Sequence, residues 1–157
     1  MRIIKFLDNY AESTILIITL LLMSVFVGLQ VFMRYAMQAS LSWSEEISRY
    51  LFIYLINIGI SYGVKQDRHV SINAFVNIFS AKTKNIFLII SDSLFLIFSL
   101  IVVIHGVEVS RIICNFGQKS PAVGLPMWIV YVGTPLGFSL VSIRLLQRLI
   151  GRVRGGF

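Results

Sequence analysis

The sequence of 157 residues has little charge, and that scarcity excludes an ordinary soluble protein. Asp, Glu, Lys and Arg together make up 13% of the residues. A soluble globular domain usually contains about 25% charged residues. Hydrophobic residues make up 57% of the chain, which indicates an integral membrane protein.

Cysteine and histidine are also scarce. The only cysteine, Cys114, cannot form an intramolecular disulfide, which excludes four-helix thiol oxidases because they need cysteine pairs. A membrane haem subunit usually needs two facing axial histidines, and of His69 and His105 only the second lies in a predicted span. We find no phosphate loop, no activated nucleophile and no metal-ligand cluster, so we expect no enzyme activity and no cofactor.

Four apolar stretches are each near the roughly 20 residues that a helix needs to cross a bilayer. They are residues 13–33, 43–64, 86–105 and 127–149. The first has an apolar core longer than the usual 7 to about 15 residues of a signal peptide and lacks a small-residue cleavage site, so we expect it to remain in the protein. The 13–33 stretch contains no acid, unlike small multidrug exporters, which use a glutamate in the middle of that helix.

Residues 70–81 separate the second and third stretches. Ile72, Phe75, Val76 and Phe79 recur there at helical spacing. This pattern predicts a short amphipathic helix in the membrane interface, and an irregular loop is the alternative. The predicted fold is therefore an all-α integral membrane protein, a single membrane domain over residues 1–157. It has four transmembrane helices and a short interfacial amphipathic helix between helices 2 and 3.

Basic residues are distributed asymmetrically about the predicted spans. If the N-terminus is inside, ten of the 14 Lys and Arg residues lie on the inner side. The positive-inside rule then places both termini in the cytoplasm. Because these residues are divided among separate segments, we expect contact with the lipid bilayer and no nucleic-acid partner.

The second span opens with charges that a membrane helix normally lacks. Ser42 and Glu45 fit a capping box, in which each side chain bonds a backbone N–H of the other residue. Arg49 follows Glu45 and Glu46 at helical spacing, so the three side chains can share a face. Because charge is unfavourable in hydrocarbon, we expect this face to contact protein. Trp43 is typical of the outer membrane interface.

Two further charged residues have alternative interpretations. Arg34, at the end of helix 1, either pairs with the acids of helix 2 or extends to lipid headgroups. Asp92, in helix 3, is either satisfied by the adjacent serines or bonded to a neighbouring helix. The candidates for a subunit interface are thus Arg34, Trp43, Glu45, Glu46, Arg49 and Asp92.

Small residues and arginines mark the remaining candidates. Glycines four residues apart favour close helix packing, although such pairs also occur by chance. They are Gly59 and Gly63 in helix 2 and Gly133 and Gly137 in helix 4. Three arginines line one face of the last helix, which predicts anchoring to lipid headgroups. They are Arg144, Arg148 and Arg152.

Several of these elements together resemble the small membrane subunit of TRAP (tripartite ATP-independent periplasmic) transporters. The resemblance rests on the order and spacing of short motifs over most of the chain. These are Arg34-Tyr35, Trp43-Ser44-Glu45-Glu46 through Arg49, Leu51-Phe52, Gly59-Ile60-Ser61, His69-Val70, Leu125-Pro126-Met127-Trp128 and Pro135-Leu136-Gly137. Asn73 departs from the pattern, because many relatives carry an aspartate there.

The resemblance implies a role in the bacterial inner membrane. In such systems a periplasmic substrate-binding protein captures an organic anion, such as sialic acid or a C4-dicarboxylate. A large TRAP membrane subunit then moves the anion by a sodium-driven, elevator-like symport, and the small subunit resembles a scaffold. We therefore expect the partners to be the large TRAP membrane subunit, the periplasmic substrate-binding protein and the lipid bilayer. The alternatives are a membrane anchor of a redox complex and a self-sufficient small homo-oligomeric transporter.

Overall fold

The computed structural model describes residues 2–66 and 81–154, which form four α-helices. These are α1 (Arg2–Ala36), α2 (Ser42–Lys65), α3 (Ala81–Asn115) and α4 (Met127–Arg154). Each helix is long and apolar enough to cross a membrane, which confirms the predicted all-α fold with four spans. The predicted interfacial helix at 70–81 lies outside the described residues, except that Ala81 is the first residue of α3.

Two helices are much longer than their predicted spans. The first begins at Arg2 instead of residue 13, and the third continues ten residues beyond His105, to Asn115 (115 − 105). Hydropathy detects only the apolar part of a helix, so polar turns at either end are missed. With 35 residues, α3 is roughly 52 Å long at about 1.5 Å per residue.

The helices are arranged as a row in the order α1, α2, α4, α3. Helix α2 packs against α1 and α4, and α4 packs against α2 and α3. Within the described residues, the two end helices of the row do not pack against each other. They expose many large apolar side chains, for example Leu21 and Val25 on α1 and Leu94 and Ile104 on α3. Such surfaces suit contact with lipid or with another membrane protein.

Polar side chains fill much of the space between the helices. Among the side chains that the structure describes, the buried apolar ones are Val64, Val130, Val141 and Leu145, whereas seven serines are buried. Ser44 of α2 donates to the Phe26 carbonyl of α1 at 2.8 Å, and the Ser99 and Ser142 hydroxyls join α3 to α4 at 2.8 Å. Because apolar side chains gain little by leaving lipid, such small polar contacts are typical of helix packing in membranes.

Glycines bring α4 close to α2. A Cβ at Gly137 would lie 3.0 Å from the backbone carbonyl carbon of Asn57, and one at Gly133 would lie 3.1 Å from the Tyr54 ring. The Tyr54 hydroxyl also donates to the Ile129 carbonyl at 2.5 Å. The second glycine pair therefore lies at a close helix contact, as its spacing predicts.

The first glycine pair behaves differently. A Cβ at Gly59 would make an ordinary contact of 3.8 Å with Leu16 of α1, and one at Gly63 would have nothing within 4 Å. The prediction of close packing is thus wrong for Gly63 as far as the described residues show, because none of them lies close enough to contact an added Cβ. Gly106 of α3, which the spacing does not reveal, lies against Pro135 of α4, whose ring would be 3.1 Å from an added Cβ.

Candidate functional site

Glu46 joins the start of α2 to the connection between α3 and α4. Its side chain is buried, and its Oε2 accepts hydrogen bonds from the backbone N–H groups of Ala122 and Val123, both at 2.9 Å. Its Oε1 accepts from the Tyr50 hydroxyl at 2.5 Å. We call these four residues the outer clamp, because the positive-inside rule predicts that this end of the molecule is the outer one. Their hydrogen bonds hold the connection between α3 and α4 against the charged N-terminal turn of α2.

The connection, residues 116–126, is itself an ordered turn. The Ser120 N–H donates to the Leu125 carbonyl at 2.8 Å, and the Leu125 N–H donates to the Ser120 hydroxyl at 3.1 Å. Gly117 and Gly124 have φ angles of +63° and +74°, which side chains other than glycine rarely adopt. The turn and the outer clamp together give this end of the molecule a defined surface.

Glu45 and Arg49 form an exposed pair beside the clamp. Arg49 Nη2 lies 2.8 Å from Glu45 Oε1, and Gln30 of α1 donates to Glu45 Oε2 at 3.3 Å. Glu46 faces the connection instead, so the three charges of this segment do not form one group. The predicted capping box is wrong, because Leu41 is the N-cap residue and no side-chain cap bond is formed. The oxygens of Glu45 are bonded to Arg49 and Gln30.

Arg34 and Trp43 lie on the surface near this end. Arg34 is exposed, and in the described part of the chain it forms no ion pair with Glu45 or Glu46. Gln30, one helical turn earlier, makes the polar contact between α1 and α2. Trp43 is partly exposed and packs edge-on against Phe26, with ring centroids 6.0 Å apart.

Asp92 is bonded to the neighbouring helix α4, which is the second of its two predicted alternatives. Its side chain is buried; Oδ1 accepts from Arg148, and Oδ2 accepts from Arg152 Nη1 at 2.8 Å. The adjacent Ser93 hydroxyl donates to the Ile89 carbonyl of its own helix instead. Asp92 therefore joins α3 to two successive turns of α4.

Glu12 is the second carboxylate that binds the arginines of α4. Its Oε1 lies 3.0 Å from Arg144 Nη2 and 3.1 Å from Arg144 Nε, and Ser61 of α2 donates to the same oxygen at 3.4 Å. Arg148 also donates to the Val64 carbonyl at the end of α2, at 3.2 Å. The arginine stripe of α4 thus contacts all three other helices. Its members and their acids form the inner cluster: Glu12, Asp92, Arg144, Arg148 and Arg152.

The prediction of headgroup anchoring does not match these positions. The three arginine side chains are only 13% to 14% exposed and bind carboxylates inside the protein. A buried charge requires a partner, and here the partners lie on other helices. Sequence reasoning missed Glu12 because it lies one residue before the predicted first span, whereas in the structure it belongs to α1. Three arginines on one face of a membrane helix are a signal that acids should be sought nearby.

Two adjoining cavities open between the helices near the outer clamp. The larger, of about 800 Å³, lies between α2 and α4 and is lined by Tyr50 and Ile53, among others. The smaller, of about 330 Å³, lies between α3 and α4 and is lined by Val102 and His105, among others. Tyr131 and Thr134 line both cavities. Over residues 2–66 and 81–154 no group of His, Cys, Asp and Glu is arranged to hold a metal ion.

Comparison with known proteins gives a consistent family match. Residues 23–155 match the family described as tripartite ATP-independent periplasmic transporters, DctQ component. A TRAP transporter small permease protein of Haemophilus influenzae is 33% identical over 153 residues, covering 98% of this chain and 94% of that protein.

Two other relatives are longer than this chain. The C4-dicarboxylate TRAP transporter small permease protein of Rhodobacter capsulatus is 31% identical over 117 residues, which cover 74% of this chain and 52% of that protein. The isethionate TRAP transporter permease protein DctMQ of Oleidesulfovibrio alaskensis is 28% identical over 158 residues, which cover 97% of this chain and 25% of that protein. The chain thus spans about half the length of the Rhodobacter capsulatus protein and a quarter of the length of the Oleidesulfovibrio alaskensis protein.

Proposed function

Because this chain belongs to the DctQ family, the small membrane subunits of tripartite ATP-independent periplasmic transporters, we propose that it serves as a scaffold in such a transporter. It is a multi-pass inner-membrane transport subunit and not an enzyme. On this proposal, the large TRAP membrane subunit moves the solute. The small subunit holds that partner in the bilayer and presents an outer surface to a periplasmic substrate-binding protein.

The main support for a scaffold role is that the buried carboxylates bond to other segments of the same chain. Glu12, Glu46 and Asp92 each accept hydrogen bonds from other segments of the same chain. Ionisable groups within membrane helices often bind transported ions or substrates. Here they are committed to joining helices α1 and α3 to α4, and α2 to the connection after α3. This arrangement suits a rigid support better than a solute pathway.

The longer relative supports a large partner. In the isethionate DctMQ protein, the region similar to this chain makes up only 25% of the length, so a larger region is joined to it covalently. We propose that a separate large subunit takes the place of that region beside this chain. The exposed apolar surface of α3 provides ample area for such contact.

The relatives do not single out one substrate. Proteins named for C4-dicarboxylate, isethionate and ectoine transport are 31%, 28% and 27% identical to this chain. Such similar identities suggest that the small subunit does not select the solute. We propose an organic anion, such as sialic acid or a C4-dicarboxylate, with sodium as the coupling ion, and we assign both specificities to the other subunits.

Orientation follows from the distribution of basic residues. Arg144 and Arg148 are held in ion pairs, but Lys65, Arg68, Lys82 and Lys84 still favour the cytoplasm for the end that carries the inner cluster. With both termini inside, the outer clamp and the exposed charges near it face the periplasm. The turn at 116–126 and the connection at 37–41 would then be available to the substrate-binding protein.

The test is co-purification combined with transport. The tagged chain, co-expressed with its cognate large subunit, should recover that subunit in mild detergent. In liposomes the chain alone should take up neither succinate nor isethionate nor ectoine under a sodium gradient. Failure to recover the large subunit, or uptake by the chain alone, would overturn the proposal. A haem absorbance band in the purified chain would instead support a redox anchor.

A further inference from the structure

The two cavities near the outer clamp are parts of one groove between α2 and α3 along α4. Tyr131 and Thr134 form its shared floor, Tyr50 and Ile53 line the α2 side, and Val102 and His105 line the α3 side. We call these six residues the outer groove. Within the described residues, α2 and α3 do not pack directly against each other, so the groove lies open along the outer half of α4.

The same groove is filled at the other end of the molecule. Val64 of α2 packs with Val141 and Leu145 of α4 in a buried cluster, and Phe95 and Leu96 of α3 pack against it. Asp92 and its arginines lie beyond this cluster. The space between α2 and α3 is therefore filled at the inner end and open at the outer end, while α4 stays in close contact with both helices at Gly133 and Gly106.

His105 lines the α3 side of the groove, and its ionisable neighbour Glu108 lies one turn farther along α3. His105 Nδ1 lies 3.5 Å from Glu108 Oε2, and the two side chains are 69% and 65% exposed. The next residue after His105, Gly106, lies against Pro135, which is eight residues into α4 from Met127 (135 − 127). At about 1.5 Å per residue, His105 is roughly 12 Å below the outer end of α4. Glu108 is about one turn nearer the surface.

We infer that the outer groove receives one membrane helix of the large subunit, which brings a hydrogen-bonding side chain to His105 and Glu108. This inference rests on the proposed function. Acyl chains could fill the apolar parts of the groove at Ile53 and Val102, but they offer no hydrogen bond to an exposed imidazole and carboxylate below the outer end of α4. A helix from a protein can supply both an apolar surface and the polar partner.

Photo-crosslinking from matched positions tests which side of α4 meets the partner. Tyr131 on the groove floor is 39% exposed, and Trp128, which lines a different cavity facing away from the groove, is 40% exposed. Each is replaced in turn by benzoylphenylalanine in the co-expressed complex. We expect several-fold more adduct with the large subunit from position 131 than from position 128.

The outcomes separate this inference from the function on which it rests. If the large subunit co-purifies but crosslinks from 128 and not from 131, the groove assignment is wrong and the scaffold proposal stands. The same holds if position 131 yields only a lipid adduct or a dimer of this chain. If no large subunit co-purifies with the unmodified chain, the scaffold proposal fails and the inference with it.

A second measurement tests the polar contact. The double substitution His105→Leu and Glu108→Leu replaces the two exposed polar side chains with apolar ones. Recovery of the large subunit should fall by about tenfold, as expected for the loss of a hydrogen bond to a charged group. Ser24→Leu on α1 is the control, because the Ser24 hydroxyl is exposed and bonded only within its own helix. Recovery should be unchanged in this control. Unchanged recovery in the double variant would contradict the polar contact.

Discussion

The inner and outer ends of the helix row use buried carboxylates in different ways. At the inner end, Glu12 and Asp92 bind guanidinium groups on another helix, and the surrounding side chains close the space between α2 and α3. At the outer end, Glu46 binds neutral donors, two backbone N–H groups and a tyrosine hydroxyl. Ion pairs hold helices to helices, whereas the neutral donors hold a turn to a helix and leave a groove beside it open.

Breaking the inner end should have the largest effect. Asp92→Leu removes the acceptor of two arginines and leaves their charges buried, which costs about 3 to 5 kcal/mol when one partner of a buried pair is lost. We expect loss of monodisperse protein in size-exclusion chromatography of a fluorescent fusion. Ser93→Leu, a neighbouring substitution that removes only a bond within α3, serves as the control. A monodisperse Asp92→Leu protein with unchanged thermal stability would show that the inner cluster is not needed for folding.

Exchanging the charges of Glu12 and Arg144 tests whether their ion pair at the inner end stabilises the protein. Glu12→Arg and Arg144→Glu should each destabilise the protein by about 2 to 5 kcal/mol, because each places like charges together. The double exchange should recover most of the loss in melting temperature. If the doubly exchanged protein is as unstable as either single variant, the ion pair between α1 and α4 is not a stabilising contact.

The contact between α2 and α4, in the middle of the row, can be tested by substituting two glycines. Gly137→Ala should force α4 away from Asn57 and destabilise the protein by about 1 to 3 kcal/mol. Gly63→Ala is the matched control, because its Cβ would meet nothing within 4 Å. That change should be neutral or stabilise the helix by up to about 1 kcal/mol. Equal melting temperatures for the two variants would argue against close contact at Gly137.

The smallest effect on global stability is expected at the outer end. Glu46→Gln keeps the shape of the side chain but weakens the bonds to Ala122 and Val123, at a cost of about 1 kcal/mol. Hydrogen exchange measured by mass spectrometry should accelerate in the peptide that contains the 116–126 turn, while the four helices remain protected. Glu45→Gln, which changes only exposed bonds to Arg49 and Gln30, should leave exchange in that peptide unaltered. Faster exchange throughout α4 would mean that Glu46 supports the whole fold.

The sequence predicts more of the fold than of the site. Four spans follow from hydropathy because lipid imposes a length and a composition on any helix that crosses it. The partner of a charged residue depends on which helix face meets which neighbour, and that information is absent from spacing within one helix. The sequence therefore predicts that Arg148 lies at the surface, whereas in the structure it is buried against Asp92. Glu46 is recognisable as unusual, but its bonds to Ala122 and Val123 join residues 76 and 77 positions apart in the chain.

The row of four helices has a mechanical consequence for a neighbouring protein. At interaxial distances of about 8 to 10 Å, three successive contacts extend up to roughly 30 Å across the plane of the membrane. A partner bound along one face acquires a lateral arm of that length. Tilting of such a partner would move the apolar side chains of α1 or α3 out of the hydrocarbon region and into contact with headgroups and water. The row of helices therefore opposes tilting of a partner that binds along it.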